Sequence, residues 1–202
     1  MADTSVTFTF KKLSAATVIS RGRAGKGTPP TSRVVGKMEQ GVLTLGGEQF
    51  AARTGPWGNG GIEAGLYAVK VKNLVNLPDN EGMRIPTGNT GKGQPKEMGF
   101  FIPLEPALVM KSVSKTVRLK GGGSFESIGI DFIERGGLGI HPDGNVLGTQ
   151  GCIGILPEDA PRFYAAWNKL PITSRPTLLV VSGHPAASGE VGLDGNPSGN
   201  RE

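Results

Sequence analysis

The chain has 202 residues, a formal charge of +5, 33 Gly, 15 Pro, one Cys and two His. A single Cys excludes an intramolecular disulfide framework, and one Cys with two His leaves a structural zinc site short of its fourth ligand. A pI near 9.5 suits an anionic partner, but aromatics are only 6% of the chain and no block of five basic residues occurs, which weighs against nucleic acid.

No apolar run approaches the length of a membrane span, so none is expected. The first twenty residues, MADTSVTFTFKKLSAATVIS, lack a basic segment followed by an apolar one and do not read as a Sec signal. If the protein acts outside the cytoplasm, another route is expected to carry it.

In chain order, SVTFTF (5–10) alternates apolar and polar residues and reads as a strand. SRGRAGKGTPPTSR (20–33) reads as a loop or linker and is the best candidate boundary. Residues 33–54 read as strand, turn, strand, punctuated by Gly41 and by Gly46 and Gly47. GPWGNGG (55–61) leads into a strand-like stretch at 62–72, and 73–96 reads as one long polar loop. Three short strand-like segments follow at 98–106, 113–120 and 124–133.

PEDAPRFYAAWNKL (157–170) is the convincing helix. Pro157, Glu158 and Asp159 suit its first turn, and Phe163, Ala166, Trp167 and Leu170 recur at helical spacing on a core-facing stripe. TLLVVSG (177–183) reads as a buried strand and the polar tail from 184 as disordered. The expected fold is therefore mainly β, with one helix packed across a sheet and the Cys just before that helix.

The only Cys lies eleven residues after one of the two histidines, in GGLGIHPDGNVLGTQGCIGIL (136–156). Cysteine chemistry requires the thiolate, and an ordinary thiol with pKa ~8.5 is mostly protonated at neutral pH. A nearby imidazole or the positive end of a helix lowers that value, and this segment offers both to Cys152: His141 and the helix that follows. Gly151 and Gly154 permit close approach of backbone amides to a substrate oxygen. Spacing alone leaves a second reading open, in which Cys152 is a buried, inert core residue and His141 a loop histidine. A metal site on His141, Asp143 and Cys152 lacks a fourth ligand, Asp143 fits a turn, and His184 stands apart from the cluster.

GIHPDGNVLGTQGCIGI (139–155) resembles the signature of the L,D-transpeptidase (YkuD-like) catalytic domain, in which a strand-end His precedes a Ser/Thr-x-Gly-Cys-Ile/Val segment, here Thr149 to Ile153. The acidic helix and final strand after the Cys are also similar. So is IEAGLYAVKV upstream, where Gly65 and Tyr67 match and Ala64 stands in place of Pro. The resemblance covers roughly 45–183, and the short His-to-Cys gap is closest to a compact branch that includes secreted antibacterial effectors. Housekeeping members carry His or Lys before the Gly-Cys and Arg two residues after the Cys; here these are Gln150 and Gly154.

The resemblance implies a β-rich sandwich or barrel and a cysteine enzyme acting on peptidoglycan, an L,D-carboxypeptidase or L,D-transpeptidase that removes or exchanges the terminal D-alanine of tetrapeptide stems. Cys152 would be the nucleophile, His141 its base, and Gly151 part of the oxyanion turn. Thr149, Gln150, Ser124 and Tyr67 are the candidate substrate-binding residues. No cofactor and no metal are expected. The implied partners are stem peptides, with an immunity protein or delivery machinery, and the implied site of action is the periplasm or wall, reached by a secretion system or phage. The corresponding division is 1–44, N-terminal strands or a docking element; 45–183, the catalytic domain; and 184–202, a tail. Two readings stand beside this one: a non-catalytic wall- or polysaccharide-binding β module, and a Cys/His peptidase cutting another stem bond.

Overall fold

The computed structural model describes residues 6–21, 32–57, 60–76, 84–89, 95–132, 135–143 and 148–183. Their architecture is mainly β. Eight strands form a closed ring in the order β4 (Gly65–Val69), β11 (Leu178–Ser182), β1 (Val6–Arg21), β2 (Ser32–Leu45), β3 (Glu48–Thr54), β10 (Ile153–Ile155), β9 (Leu138–Pro142) and β7 (Ile102–Arg118), and β7 pairs back onto β4. Closure satisfies the backbone groups that an open sheet would leave at its edges.

The core follows from the two-residue period of a strand. Each stave contributes two residues to one apolar cluster: Val6 and Phe8, Leu43 and Leu45, Phe50 and Ala52, Tyr67 and Val69, Ile102 and Leu104, Leu138 and Ile140, Ile153 and Ile155, Leu179 and Val181. A Cβ on Gly41 would stand 2.6 Å from the Phe8 ring, so glycine there makes room for that side chain.

The helix α1 (Ala160–Lys169) adds Phe163 and Trp167 to this core. Phe163 meets Phe50 edge-on at 5.2 Å and stacks on Phe100 at 5.8 Å. The expected stripe is present, but the acidic first turn is not. Asp159 is the N-cap without capping its own helix, because its carboxylate accepts the Ala51 N–H at 2.7 Å and an Arg162 N–H at 2.8 Å. The helix is thus tied to β3 instead. At its other end, buried Arg175 donates to the Leu170 carbonyl at 3.1 Å, complementing the negative end of the dipole.

Several expectations require correction. The stretch 73–96 is not one loop: β5 (Arg84–Asn89) and β6 (Pro95–Gly99) form a separate two-stranded sheet. Strand β11 is not buried throughout but alternates, with Leu178 and Val180 outward. The strands flanking 20–33 pair with each other out to Arg21 and Ser32, so that stretch interrupts a hairpin. Residues 1–44 contain β1 and nearly all of β2, both of them staves of the barrel. Cys152 leads into β10, not into α1, which begins only at Ala160. The 184–202 tail, with His184, lies outside the described residues. Strand β8 (Ser124–Phe132) pairs with the distal part of β7, from Arg118↔Ser124 to Met110↔Phe132, while β7 joins β9 at 102–104. No helix among the described residues is long and apolar enough to cross a membrane.

Candidate functional site

Strands β9 and β10 run parallel, with Ile140 beside Ile153 and His141 beside Gly154. Ile140 and Ile153 belong to the core, so alternation turns His141 to the opposite face of the sheet. Cys152 stands one residue before β10; continued back by that one residue, the register would set it beside Gly139, on the face of His141. Neighbouring strands and a two-residue offset put their backbones roughly 8 Å apart, within the combined reach of a thiol and an imidazole. His141 thus lies on β9, and Cys152 immediately before the parallel strand beside it.

Each side chain has a fixed environment. Cys152 is half-buried and its Sγ donates to the Gly137 carbonyl at 3.5 Å. His141 is 9% exposed, and its Nδ1 lies 2.8 Å from the Pro142 carbonyl. A carbonyl only accepts, so Nδ1 carries the proton and Nε2 is left as the acceptor. Burial lowers the His141 pKa to about 4, against a smaller upward contribution from that carbonyl. The imidazole is therefore neutral at neutral pH. Phe101 stacks beside it at 6.2 Å, its ring occupying the space that a Cβ on Gly139 would need.

Thr149 organises the turn before Cys152. Its hydroxyl donates to the Cys152 carbonyl at 2.6 Å and accepts the amides of Gly55 at 3.1 Å and Gly151 at 3.3 Å. Its backbone exchanges bonds with Gly55 and Trp57, beside a cis Gly55–Pro56 bond. The Gly151 N–H is thus engaged within the turn. Gly151 serves the turn through its conformation, φ +110°, in the region that favours glycine.

Two charged groups brace this turn: Asp143, which the sequence already suggested for a turn, with its partner Arg53, and Arg135, which it did not suggest. Asp143, 1% exposed, pairs with Arg53 of β3 and accepts the Gly148 amide at 3.2 Å. Arg53 pairs in register with Gly154, and a Cβ on Gly154 would be 2.7 Å from Asp143 Cβ. Glycine there leaves the space the ion pair fills. On the other side, Arg135 donates to the carbonyls of Gln150 at 2.5 Å, Gly60 at 3.1 Å and Gly61 at 2.8 Å, and to Glu63 at 3.0 Å. Glu39 lies behind this group, and burial first, then repulsion from Glu63, raises its pKa to about 7 against the attraction of Arg135.

Thr149, Gly151 and Cys152 share one hydrogen-bonded turn with Gln150, which is exposed to solvent, and His141 lies on the strand beside the one that follows this turn. Ser124 does not join them; it stands exposed at the far end of the β7–β8 hairpin. Tyr67 is a core residue whose hydroxyl donates to the Glu63 carbonyl at 2.9 Å, so it does not line an open cleft. The helix dipole expected behind Cys152 is replaced by strand β10, and a cation that touches the turn directly is Arg135, through the Gln150 carbonyl. Among the described residues, no group of three or more His, Cys, Asp and Glu side chains could hold a metal ion. No family model, curated protein or solved structure matches the chain.

Proposed function

We propose that the chain is a cysteine-dependent enzyme acting on peptidoglycan, cleaving or exchanging the terminal D-alanine of tetrapeptide stems. The observation that supports the chemistry is the parallel pairing of β9 with β10, which carries His141 on one strand and Cys152 at the start of its neighbour. The choice of substrate rests on the resemblance of 139–155 to the L,D-transpeptidase signature.

In this reading the resting pair is neutral. As Cys152 Sγ attacks the carbonyl between the L-centre of the third residue and D-alanine, its proton passes to His141 Nε2. The tetrahedral adduct collapses by breaking the C–N bond, and the imidazolium returns the proton to the leaving amine. The resulting thioester is resolved by water, giving a carboxypeptidase, or by an amine, giving a transpeptidase or exchange enzyme. The Pro142 carbonyl holds the imidazole in the tautomer this requires and stabilises the transient imidazolium. The positive net charge suits attraction to an anionic wall, and delivery there by a secretion system or a phage belongs to the same proposal.

The test is mass spectrometry of purified muropeptides before and after incubation. Wild type should produce a mass change of one D-alanine, lost or exchanged, and Cys152→Ala should produce none. Loss of D-alanine that persists in Cys152→Ala overturns the mechanism. Binding of wall fragments without any mass change favours a non-catalytic β module.

A further inference from the structure

The turn that bears the thiol is held from outside its own strand pair. Arg135, whose side chain is 9% exposed, spends its fork on four acceptors drawn from two separate segments. Its Nη1 faces Glu63 and the Gly61 carbonyl, whereas its Nη2 faces Gly60 and Gln150. That same Nη2 fills the space where any side chain at position 151 would begin. One end of the guanidinium is therefore matched by a carboxylate, and the other lies against the residue that precedes Cys152.

We propose that Arg135 is a positioning residue for the nucleophile, clamping the 150–152 turn onto the Gly60–Gly61 segment and setting a positive charge against the residue that precedes Cys152. This rests on the cysteine-enzyme reading and deepens it. The device replaces the helix end that the chain order denies to Cys152. The fork is essential to the clamp, because an ammonium cannot reproduce the planar spread of donors that reaches both segments at once. The charge alone is what favours the thiolate. The two contributions are separable. The titratable groups around the sulfur and the guanidinium are Glu63 and Glu39 on the far side, Tyr67 through the Glu63 carbonyl, and His141 on the neighbouring strand.

The test is the pH dependence of Cys152 alkylation by iodoacetamide in the full chain, measured beside D-alanine release. Arg135→Gln should raise the apparent thiol pKa by about one unit, which slows alkylation at pH 7 about tenfold. Arg135→Lys should hold the thiol pKa near that of wild type while lowering kcat, since charge remains and the clamp is lost. Glu63→Gln should shift the profile the other way, with faster alkylation at pH 7, and reports even if Arg135→Gln does not fold. Superimposable profiles for wild type and folded Arg135→Gln, or for wild type and Glu63→Gln, overturn the proposal. Alkylation reads the sulfur without turnover. Shifted profiles with no D-alanine release by wild type would therefore sink the enzymatic reading and leave the charge effect, while unchanged profiles in an active enzyme do the reverse.

Discussion

The Thr149 hydroxyl and the Cys152 carbonyl lie 2.6 Å apart, so the residue three before Cys152 fixes the peptide plane that follows it. Thr149 is 5% exposed and its oxygen also accepts two amides. Removing it leaves those amides without this partner in a dry site, which costs more than the net worth of a hydrogen bond. Thr149→Val should lose about 2–3 kcal/mol in urea unfolding. Thr149→Ser, which keeps the oxygen, should lose less than half of that. Equal losses in the two variants would refute a role for the hydroxyl.

The Arg53–Asp143 pair is the second brace, with exposures of 14% and 1%. Burial lowers the Arg53 pKa, opposed by the field of Glu158. Asp143→Leu should cost about 3–5 kcal/mol, because it strands a cation under the sheet. Adding Arg53→Met should recover most of the loss but not all, since the Gly148 amide still lacks its acceptor. A double-mutant cycle with no coupling would show that the two side chains act independently.

Two buried groups pull the stability of the fold in opposite directions with pH. His141 titrates near 4 when folded and near 6.5 when unfolded. Between those values the unfolded chain binds the extra proton, so stability falls as pH drops from 6.5 towards 4, by up to about 3 kcal/mol. Glu39 has the opposite sign: its folded pKa of about 7 exceeds 4.5, so its contribution is present in acid and is lost as pH rises through 7. Glu39→Gln should therefore be more stable than wild type at pH 8 and should lose stability more steeply on acidification. Urea unfolding at pH 8, 6 and 5 checks this; a variant less stable than wild type at pH 8 would contradict it.

The same His141 environment bears on rate. A general base that stays neutral until about pH 4 does not switch off near 6.5. The acid limb of kcat/KM for D-alanine release should lie close to pH 4. A limb near 6.5 would mean that the imidazole is more hydrated in solution than its packing against Phe101 and Gly139 implies.

What the sequence disclosed depended on the distance over which each feature acts. Alternation is local, so 5–10, 33–54 and 124–133 could be read as strands, and the Phe163 and Trp167 stripe as a core-facing helix face. His141 and Cys152 stand out in the sequence because they lie eleven residues apart, one on β9 and the other just before β10. The three-residue strand β10, reading IGI, was too short and too rich in glycine to register, and Cys152 was placed against the helix instead. Strands β5 and β6, RIPTGN and PKEMG, carry proline and glycine that depress any strand pattern. Arg135 acts on residues up to 75 positions away, and Arg53 on one 90 positions away. Nothing in the local sequence marks such partners. An arginine before GGLGI and a threonine before QGC are ordinary until the barrel sets them side by side.

The barrel closes where β1 lies parallel to β11, Val6 beside Leu179 through Thr9 beside Ser182. The first and last staves thus share one seam, and although β1 can pair with β2 early, its other edge finds a partner only once β11 has been made. A cut at residue 44 would take out two adjoining staves and leave β3 and β11 as raw edges, so a chain starting at 45 should not close the ring around the segment that carries the thiol.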